Sequence, residues 1–349
     1  MTTALLPDAE TTAYERELGE YLAVDHVVAV SSGTAALQTA LAAAGVGPGC
    51  EVLVPAVAVV MSAAAIAHTG ATPVPVDCTR DGSDFDYGDL AAKVSDRTAA
   101  VMPVYMWGRA GDHDRLRRFA AVYGLAVVAD ACQALGTTIG SRQVGTERGV
   151  VGAYSTHHLK LLSTGEGGFI TTHDPDIAAR ARAYRAHWLS PPEGEAPMSR
   201  FAHNFRLAEP LAALGRRELA RFDRLVAQRI HQTRQLTTLL ASVPQLRPLT
   251  AASGQRWNAY SPLLQLQLAQ PREFSRRLAA LGVPNSVGSF GLCPLDQRPM
   301  LEARARPCTA AAEFLDNLLA VVITRDDDSA RIDRYAHTII REVRGWAND

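Results

Sequence analysis

Residues 26–44 read HVVAVSSGTAALQTALAAA. A run of nearly unbroken apolar residues (26–30) gives way to Ser31, Ser32 and Gly33, and then to an alanine-rich stretch with a helical pattern over 34–44. An apolar run without polar alternation reads as a strand buried on both faces. A strand that turns through serines and a glycine directly into a helix is the repeating half of a parallel β-α unit. Working outward, the same signal recurs at EVLVP (51–55), TPVPVD (72–77), AAVMPVY (99–105), LAVVAD (125–130), GAYST (152–156) and GFITT (168–172), with further helices expected over 60–69 and 113–123. Seven such strands separated by helices predict an α/β fold, with a mostly parallel sheet covered on both faces.

From about residue 173 the pattern turns helical. Residues 207–243 read as one long amphipathic stretch. They are followed by a strand over 260–268, a helix over 271–281, a Gly- and Pro-rich loop over 282–299 and a closing helix over 328–344. This predicts a large domain, 1–225, and a smaller C-terminal α+β domain, 226–349.

With 349 residues and 47% hydrophobic content the chain is long enough for a sizeable core. A formal net charge of −1 gives no reason to expect nucleic acid or an anionic membrane as a partner. The five cysteines form no CxxC pair, so free thiols in a reducing, cytoplasmic setting are expected rather than a disulfide framework or a structural metal site. The opening residues MTTALLPDAETT lack the basic-then-apolar pattern of a signal peptide. The most apolar stretch, 52–67, contains Pro55 and falls short of the roughly 20 residues a membrane span needs.

Three strand ends carry residues with chemistry, and open α/β sheets bind ligands at strand ends. The first is SSGTAALQTAL (31–41). Ser31 and Ser32 start a helix, Gly33 removes side-chain bulk, and Thr34 adds a hydroxyl, so free N–H groups there suit a phosphate. The same residues also read as an ordinary cap with a turn glycine, and no Walker or GxGxxG pattern occurs. The second is ADACQALGT (129–137), where Asp130 ends an apolar strand. A carboxylate there must be paired or hydrogen-bonded, as a ligand partner or as a helix cap. Gln133 follows about one helical turn later. The third is STHHLKLLSTGEGGF (155–169), with Ser155, His157, His158 and Lys160 ahead of glycines that let backbone pass close to a ligand. Taken alone, Lys160 also reads as a solvated loop lysine. Together, a phosphate cradle, a strand-end carboxylate and a lysine among glycines meet the requirements of pyridoxal 5′-phosphate (PLP). The lysine forms a Schiff base with the aldehyde, and the carboxylate keeps the pyridine nitrogen protonated.

SSGTAAL, GVGPGCEVLVP, GATPVPVD, DACQALG, STHHLKLLSTGEGG and NFRLAEPLAALG, in this order, resemble the motifs of the DegT/DnrJ/EryC1/StrS aminotransferases, which aminate sugars and cyclitols and have PLP fold type I. The resemblance covers roughly residues 12–225. It implies that Lys160 is the Schiff-base lysine and later proton shuttle, with a pKa lowered by burial and by the cationic ring. It further implies that Asp130 pairs with the pyridine nitrogen, that Gln133 bonds the ring hydroxyl, and that Gly33, Thr34 and Ser155 hold the phosphate. Asn204 resembles the asparagine that reaches the phosphate of the neighbouring subunit, which implies a homodimer with active sites at the interface. His157 matches a histidine common in the motif, lining the site or structural; His158 is read as incidental.

Three departures bear on the substrate. Val59 stands where family members carry an aromatic residue stacked on the cofactor, the segment before the first helix is short, and the late His/Pro substrate motif has no clear counterpart. The expected reaction moves an amino group from L-glutamate or L-glutamine to a keto-sugar or keto-cyclitol, by ping-pong chemistry through pyridoxamine 5′-phosphate. The alternative enzyme has the same fold and another PLP- or pyridoxamine-phosphate-dependent reaction, a dehydration or the amination of a smaller ketone, although resembling dehydratases replace the lysine by histidine. A non-catalytic relic of the fold is the alternative outside enzymology.

Overall fold

The computed structural model describes residues 9–251, 254–302 and 306–346. The expectations drawn from the opening residues MTTALLPD lie outside them. The strands are β1 (His26–Val30), β2 (Glu51–Pro55), β3 (Thr72–Val76), β4 (Thr98–Val101), β5 (Ala126–Asp130), β6 (Thr138–Ile139), β7 (Arg142–Gln143), β8 (Val150–Ser155), β9 (Gly168–Thr172), β10 (Leu246–Pro248), β11 (Gln255–Arg256), β12 (Leu263–Leu266) and β13 (Leu318–Ala320). The helices are α1 (Ala9–Leu22), α2 (Gly33–Ala43), α3 (Val60–His68), α4 (Tyr87–Ala92), α5 (His113–Tyr123), α6 (Pro175–Tyr184), α7 (Glu209–Leu219), α8 (Phe222–Leu240), α9 (Pro271–Ala280), α10 (Pro299–Glu302), α11 (Thr309–Asp316) and α12 (Ser329–Trp346).

The seven expected strands form one sheet in the order β1-β9-β8-β5-β4-β2-β3. Only β9 runs against the others, pairing antiparallel with both β1 and β8. Side chains alternate between two buried layers, as the two-residue period of a strand requires. Val27 and Ala29 of β1, Leu53 of β2 and Val127 and Ala129 of β5 pack against Tyr14 and Leu18 of α1, Leu116 of α5 and Ala212 of α7. Val28 and Val30, Val52 and Val54, and Val128 face Leu37 and Leu41 of α2 and Ile66 of α3. Continuous apolar strands are therefore continuous because both faces are covered.

A second sheet, β10-β12-β13, packs with α8, α9 and α12 around Leu240, Leu264, Phe274, Leu319 and Ile339. The stretch 207–243 is two helices rather than one. Pro210 opens α7, and Arg221 leaves helical geometry at φ −117° and ψ 10° before α8 begins. The break buries Phe222 edge-on against Tyr21, with ring centroids 5.8 Å apart. α8 itself runs across residues 225–226. Its Phe222 and Val226 belong to the large-sheet core, while Leu236 and Leu240 belong to the C-terminal core. A small third sheet was not expected: β11 adds to the β6–β7 hairpin, joining the C-terminal part to the segment after Asp130.

All five cysteines are free thiols. Among the described residues, no helix is long and apolar enough to cross a membrane.

Candidate active site

β1, β5 and β8 run the same way, so the three stretches singled out in the sequence emerge at one edge of the sheet. They meet around a cavity of about 240 Å³ whose lining includes Gly33, Thr34, Asp130, Gln133, Ser155 and Lys160. Larger clefts of about 600 and 730 Å³ lie elsewhere and contain none of these residues.

At the end of β1, Ser32 caps α2. Its Oγ accepts from the Ala35 N–H at 3.0 Å and its carbonyl from the Ala36 N–H at 2.9 Å. A helix start leaves its first N–H groups without intrahelical acceptors. Those of Gly33 and Thr34 have no partner among the described residues, so two donors at the positive end of α2 face the cavity. Gly33 is required by close approach: a Cβ there would lie 2.7 Å from Ser155 Cβ and 3.0 Å from Ser155 Oγ. The cradle and the Ser155 hydroxyl are thus brought together because residue 33 has no side chain.

Asp130 closes β5 and is 3% exposed. Ser62 Oγ of α3 donates to its Oδ2 at 2.7 Å, and the Cys132 N–H donates to Oδ1 at 3.1 Å. These bonds give the buried carboxyl group the hydrogen-bond partners that its burial requires. Gln133 is fixed by its carbonyl end, which accepts from the Trp107 N–H at 2.7 Å. Its NH₂ end has no partner among the described residues and is left as a donor at the cavity wall.

The segment after β8 is a closed loop. The Thr156 N–H donates to the Gly167 carbonyl at 2.9 Å, the Thr164 N–H to the Thr156 carbonyl at 2.8 Å, and the two threonine hydroxyls bond each other at 2.6 Å. A Cβ at Gly167 would lie 2.5 Å from both hydroxyl oxygens, so glycine is needed for the closure. The Lys160 N–H donates to the His157 carbonyl at 2.8 Å, and Nζ makes a long hydrogen bond to the Tyr260 hydroxyl at 3.4 Å. Burial pulls the Lys160 pKa down, but Tyr260, Cys132 and Asp130 outweigh it and the direction is upward. The expectation of a lowered pKa is therefore corrected for the chain alone. Burial acts as expected, but the Tyr260 hydroxyl, the Cys132 thiol and the Asp130 carboxylate together act more strongly.

These residues fit PLP by donor chemistry: free N–H groups and a hydroxyl for a phosphate, a hydrogen-bonded carboxylate for a ring nitrogen, an amide NH₂ for a ring oxygen, and a lysine amine for an aldehyde. The sequence as a whole matches the DegT/DnrJ/EryC1/StrS aminotransferase family over residues 4–339. The chain belongs to this family. GDP-perosamine synthase of Caulobacter vibrioides is 37% identical over 217 residues, 62% of this chain and 58% of that one. A dTDP-3-amino-3,4,6-trideoxy-α-D-glucose transaminase of Streptomyces venezuelae is 36% identical over 249 residues, 69% and 63% of the two chains. The matched part thus spans less than two thirds of the length of these relatives. The crystal structure of S. venezuelae DesV, in complex with a ketimine intermediate, superposes with a TM-score of 0.84 at 30% identity, covering 97% of this chain and 90% of that one.

The remaining expected residues are placed as follows. Val59, where the family motif has an aromatic residue, precedes α3 in extended conformation and borders the cavity. Asn204 is exposed, bridges Ala186 through its backbone, and does not line the cavity. His157 lines it, with Nε2 3.5 Å from Glu166 Oε1. Burial, then the neighbouring His158, hold the His157 pKa below its usual value against the pull of Glu166. His158 is not isolated: its ring centroid is 3.9 Å from that of His157, and His157, His158 and Glu166 bring ligand atoms within 4.8 Å of one another.

Three residues at the site, Ser62, Trp107 and Tyr260, lie outside the stretches singled out in the sequence. Ser62 sits in a stretch read only as a helix, and Trp107 just beyond the strand expected over 99–105. Trp107 is a buried, left-handed residue at φ 55°, a conformation rare outside glycine and invisible in a sequence pattern. Tyr260 lies at the start of a stretch read as a strand. It is held by the Arg229 guanidinium, which donates to its carbonyl at 2.6 Å, and by Asn258 Oδ1, which accepts from its N–H at 3.0 Å. Burial pulls Arg229 down to about 10. Asn258 Nδ2 in turn donates to the carbonyls of Gln133 and Leu135 at 2.8 and 2.9 Å.

Proposed function

We propose that the chain is a PLP-dependent aminotransferase that moves an amino group from L-glutamate or L-glutamine to a keto-sugar, nucleotide-linked, or to a keto-cyclitol. The observation that carries this reading is the convergence of Lys160, Asp130 and the two free N–H groups of α2 on one cavity. Bound PLP supplies an electron sink that stabilises a carbanion at the substrate carbon. The chain's own residues do the rest. The N–H groups of Gly33 and Thr34, with Ser155, would bind the phosphate; Asp130, fixed by Ser62, would hold a proton on the ring nitrogen; Gln133 would donate to the ring oxygen. The Lys160 amine would hold the cofactor aldehyde and, once released, would be placed to hold and move a proton at Nζ, which the Tyr260 hydroxyl orients. Pyridoxamine 5′-phosphate is the aminated form that the same residues would have to hold between the two half-reactions. Residues 1–225 act as the cofactor-binding domain, and residues 226–349 bring Tyr260 over it.

The exposure of Asn204 supports a homodimer in which this side chain meets the partner's cofactor phosphate; sedimentation of the loaded protein tests the dimer. The names of the relatives support sugars and cyclitols as acceptors. The deciding experiment is the absorption spectrum of the purified protein with PLP before and after L-glutamate. Loss of the visible band with appearance of the pyridoxamine band is expected. A band that ignores both glutamate and glutamine removes the proposed donors.

A further inference from the structure

A second chamber of about 340 Å³ adjoins the cofactor cavity and shares Lys160, His157 and Val59 with it. Its walls are mostly apolar, with Met106, Trp107, Phe290, Leu292 and Ile323 among them. The one arginine of the same wall is Arg298. Its Nη2 donates to the Gly291 carbonyl at 3.1 Å, but its Nε is buried and has no hydrogen-bond partner. No carboxylate stands within ion-pair distance of it among the described residues. Other arginines differ: Arg109 pairs with Asp81, Arg185 with Glu15, and Arg229 bonds the Tyr260 carbonyl. A buried donor left without an acceptor is unfavourable and calls for an explanation, of which a bound water or anion is one. The position is fixed from behind: the Leu295 N–H donates to the Ala56 carbonyl at 2.9 Å and the Arg298 N–H to the Leu295 carbonyl at 3.0 Å, which ties the segment to the approach of α3.

We propose that Arg298 is the anion anchor of the substrate chamber, binding a carboxylate or phosphate oxygen of the substrate whose reacting carbon is presented to Lys160. A guanidinium fork matches either anion, and apolar walls strengthen the attraction by excluding water. The proposal rests on the aminotransferase reading for the identity of the reacting carbon. Two sources share this chemistry: the carboxylate of the amino donor and an anionic group on the acceptor.

The test is calorimetric binding of glutarate, the amino-free analogue of glutamate, and of thymidine diphosphate to PLP-loaded wild type, Arg298→Gln and Arg298→Lys. Unchanged cofactor absorbance shows that each variant keeps its site. Arg298→Gln is expected to weaken one probe by roughly 10- to 100-fold, the loss of a charge-assisted hydrogen bond, and Arg298→Lys to restore part of it. Loss confined to glutarate assigns the anchor to the donor, and the glutamate concentration for half-maximal cofactor conversion should then rise while the limiting rate changes little. Loss confined to thymidine diphosphate assigns it to the acceptor. If Arg298→Gln does not fold, a drop of several-fold for one probe in Arg298→Lys carries the same assignment. Both probes bound equally by wild type and variants, or neither bound by wild type, overturns the proposal. Because binding is read without turnover, a wild type that fails to convert with glutamate removes the aminotransferase reading and leaves the Arg298 result standing.

Discussion

A single amine sets the chemistry of the site, and its protonation is open to measurement. Attack on an aldehyde needs the neutral form of Lys160, yet its pKa stands above the ordinary 10.5 in the cofactor-free chain. The neutral fraction is then below about 1% at pH 8 and rises about tenfold per pH unit. Capture of PLP by the apoprotein should accelerate by the same factor from pH 7 to pH 10, followed by stopped-flow absorbance. A plateau below pH 9 would mean that burial dominates after all. Lys160→Ala should leave a folded chain without transamination, while Asp130→Asn should reduce the rate far more than it reduces PLP affinity, because the ring then loses its proton and not its phosphate contacts. Unchanged turnover in either variant removes the corresponding role. At Val59 the cavity border is aliphatic, so Val59→Tyr adds a ring face where the family motif has one. Tighter PLP binding by fluorescence titration is expected, and loss of PLP would show that the smaller side chain is required.

At the scale of elements, what was legible in the sequence was what depends on local period and local turn chemistry. The seven strands of the main sheet follow from apolar runs, and the α2 cradle follows from Ser-Ser-Gly-Thr after β1. Lys160, Asp130, Gln133 and Ser155 could be singled out, and line one cavity, because each follows or ends a strand, where chain order and spatial order coincide. What was not legible depends on distant pairing. The break between α7 and α8 is decided by the burial of Phe222 against Tyr21, 201 residues earlier, and not by a helix breaker in the stretch itself. The β6–β7–β11 sheet joins two-residue strands too short to leave a periodic signal. Tyr260 reaches Lys160 only because Asn258, 1% exposed, ties its own segment to the carbonyls of Gln133 and Leu135. Asn258→Ala removes three hydrogen bonds made by one buried side chain, leaving two carbonyls and an N–H unsatisfied. A loss of about 2–4 kcal/mol in urea unfolding is expected, together with slower transamination as Tyr260 loosens. A variant as stable as the parent would show that water replaces the asparagine without penalty.

At the scale of the whole molecule, one core couples the site to stability. Tyr14 of α1, Tyr105 beyond β4 and Tyr154 of β8 are all buried in the same apolar layer. Burial raises the pKa of each above the ordinary 10, with Glu218 adding to the shift at Tyr14 and Glu147 at Tyr105 and Tyr154. An unfolded tyrosine begins to lose its proton near pH 10, whereas these keep theirs in the folded chain. Above pH 10 the native state therefore binds more protons than the unfolded one, so stability is fully present below pH 10 and falls as pH rises. The slope approaches about 1.4 kcal/mol per pH unit for each tyrosine. Thermal melts should be flat across pH 7–9.5 in this respect and drop steeply beyond 10. Tyr14 isolates the effect, because its hydroxyl is buried without a hydrogen-bond partner, whereas Tyr154 donates to the Val144 carbonyl at 2.6 Å. Tyr14→Phe deletes a desolvated hydroxyl and keeps the ring packed beside Gly215. It should hold or raise stability at pH 7, by up to about 1–2 kcal/mol, and make the alkaline fall shallower by the share of one tyrosine. A variant less stable at pH 7, or one whose alkaline slope is unchanged, would place the alkaline sensitivity in groups other than this hydroxyl.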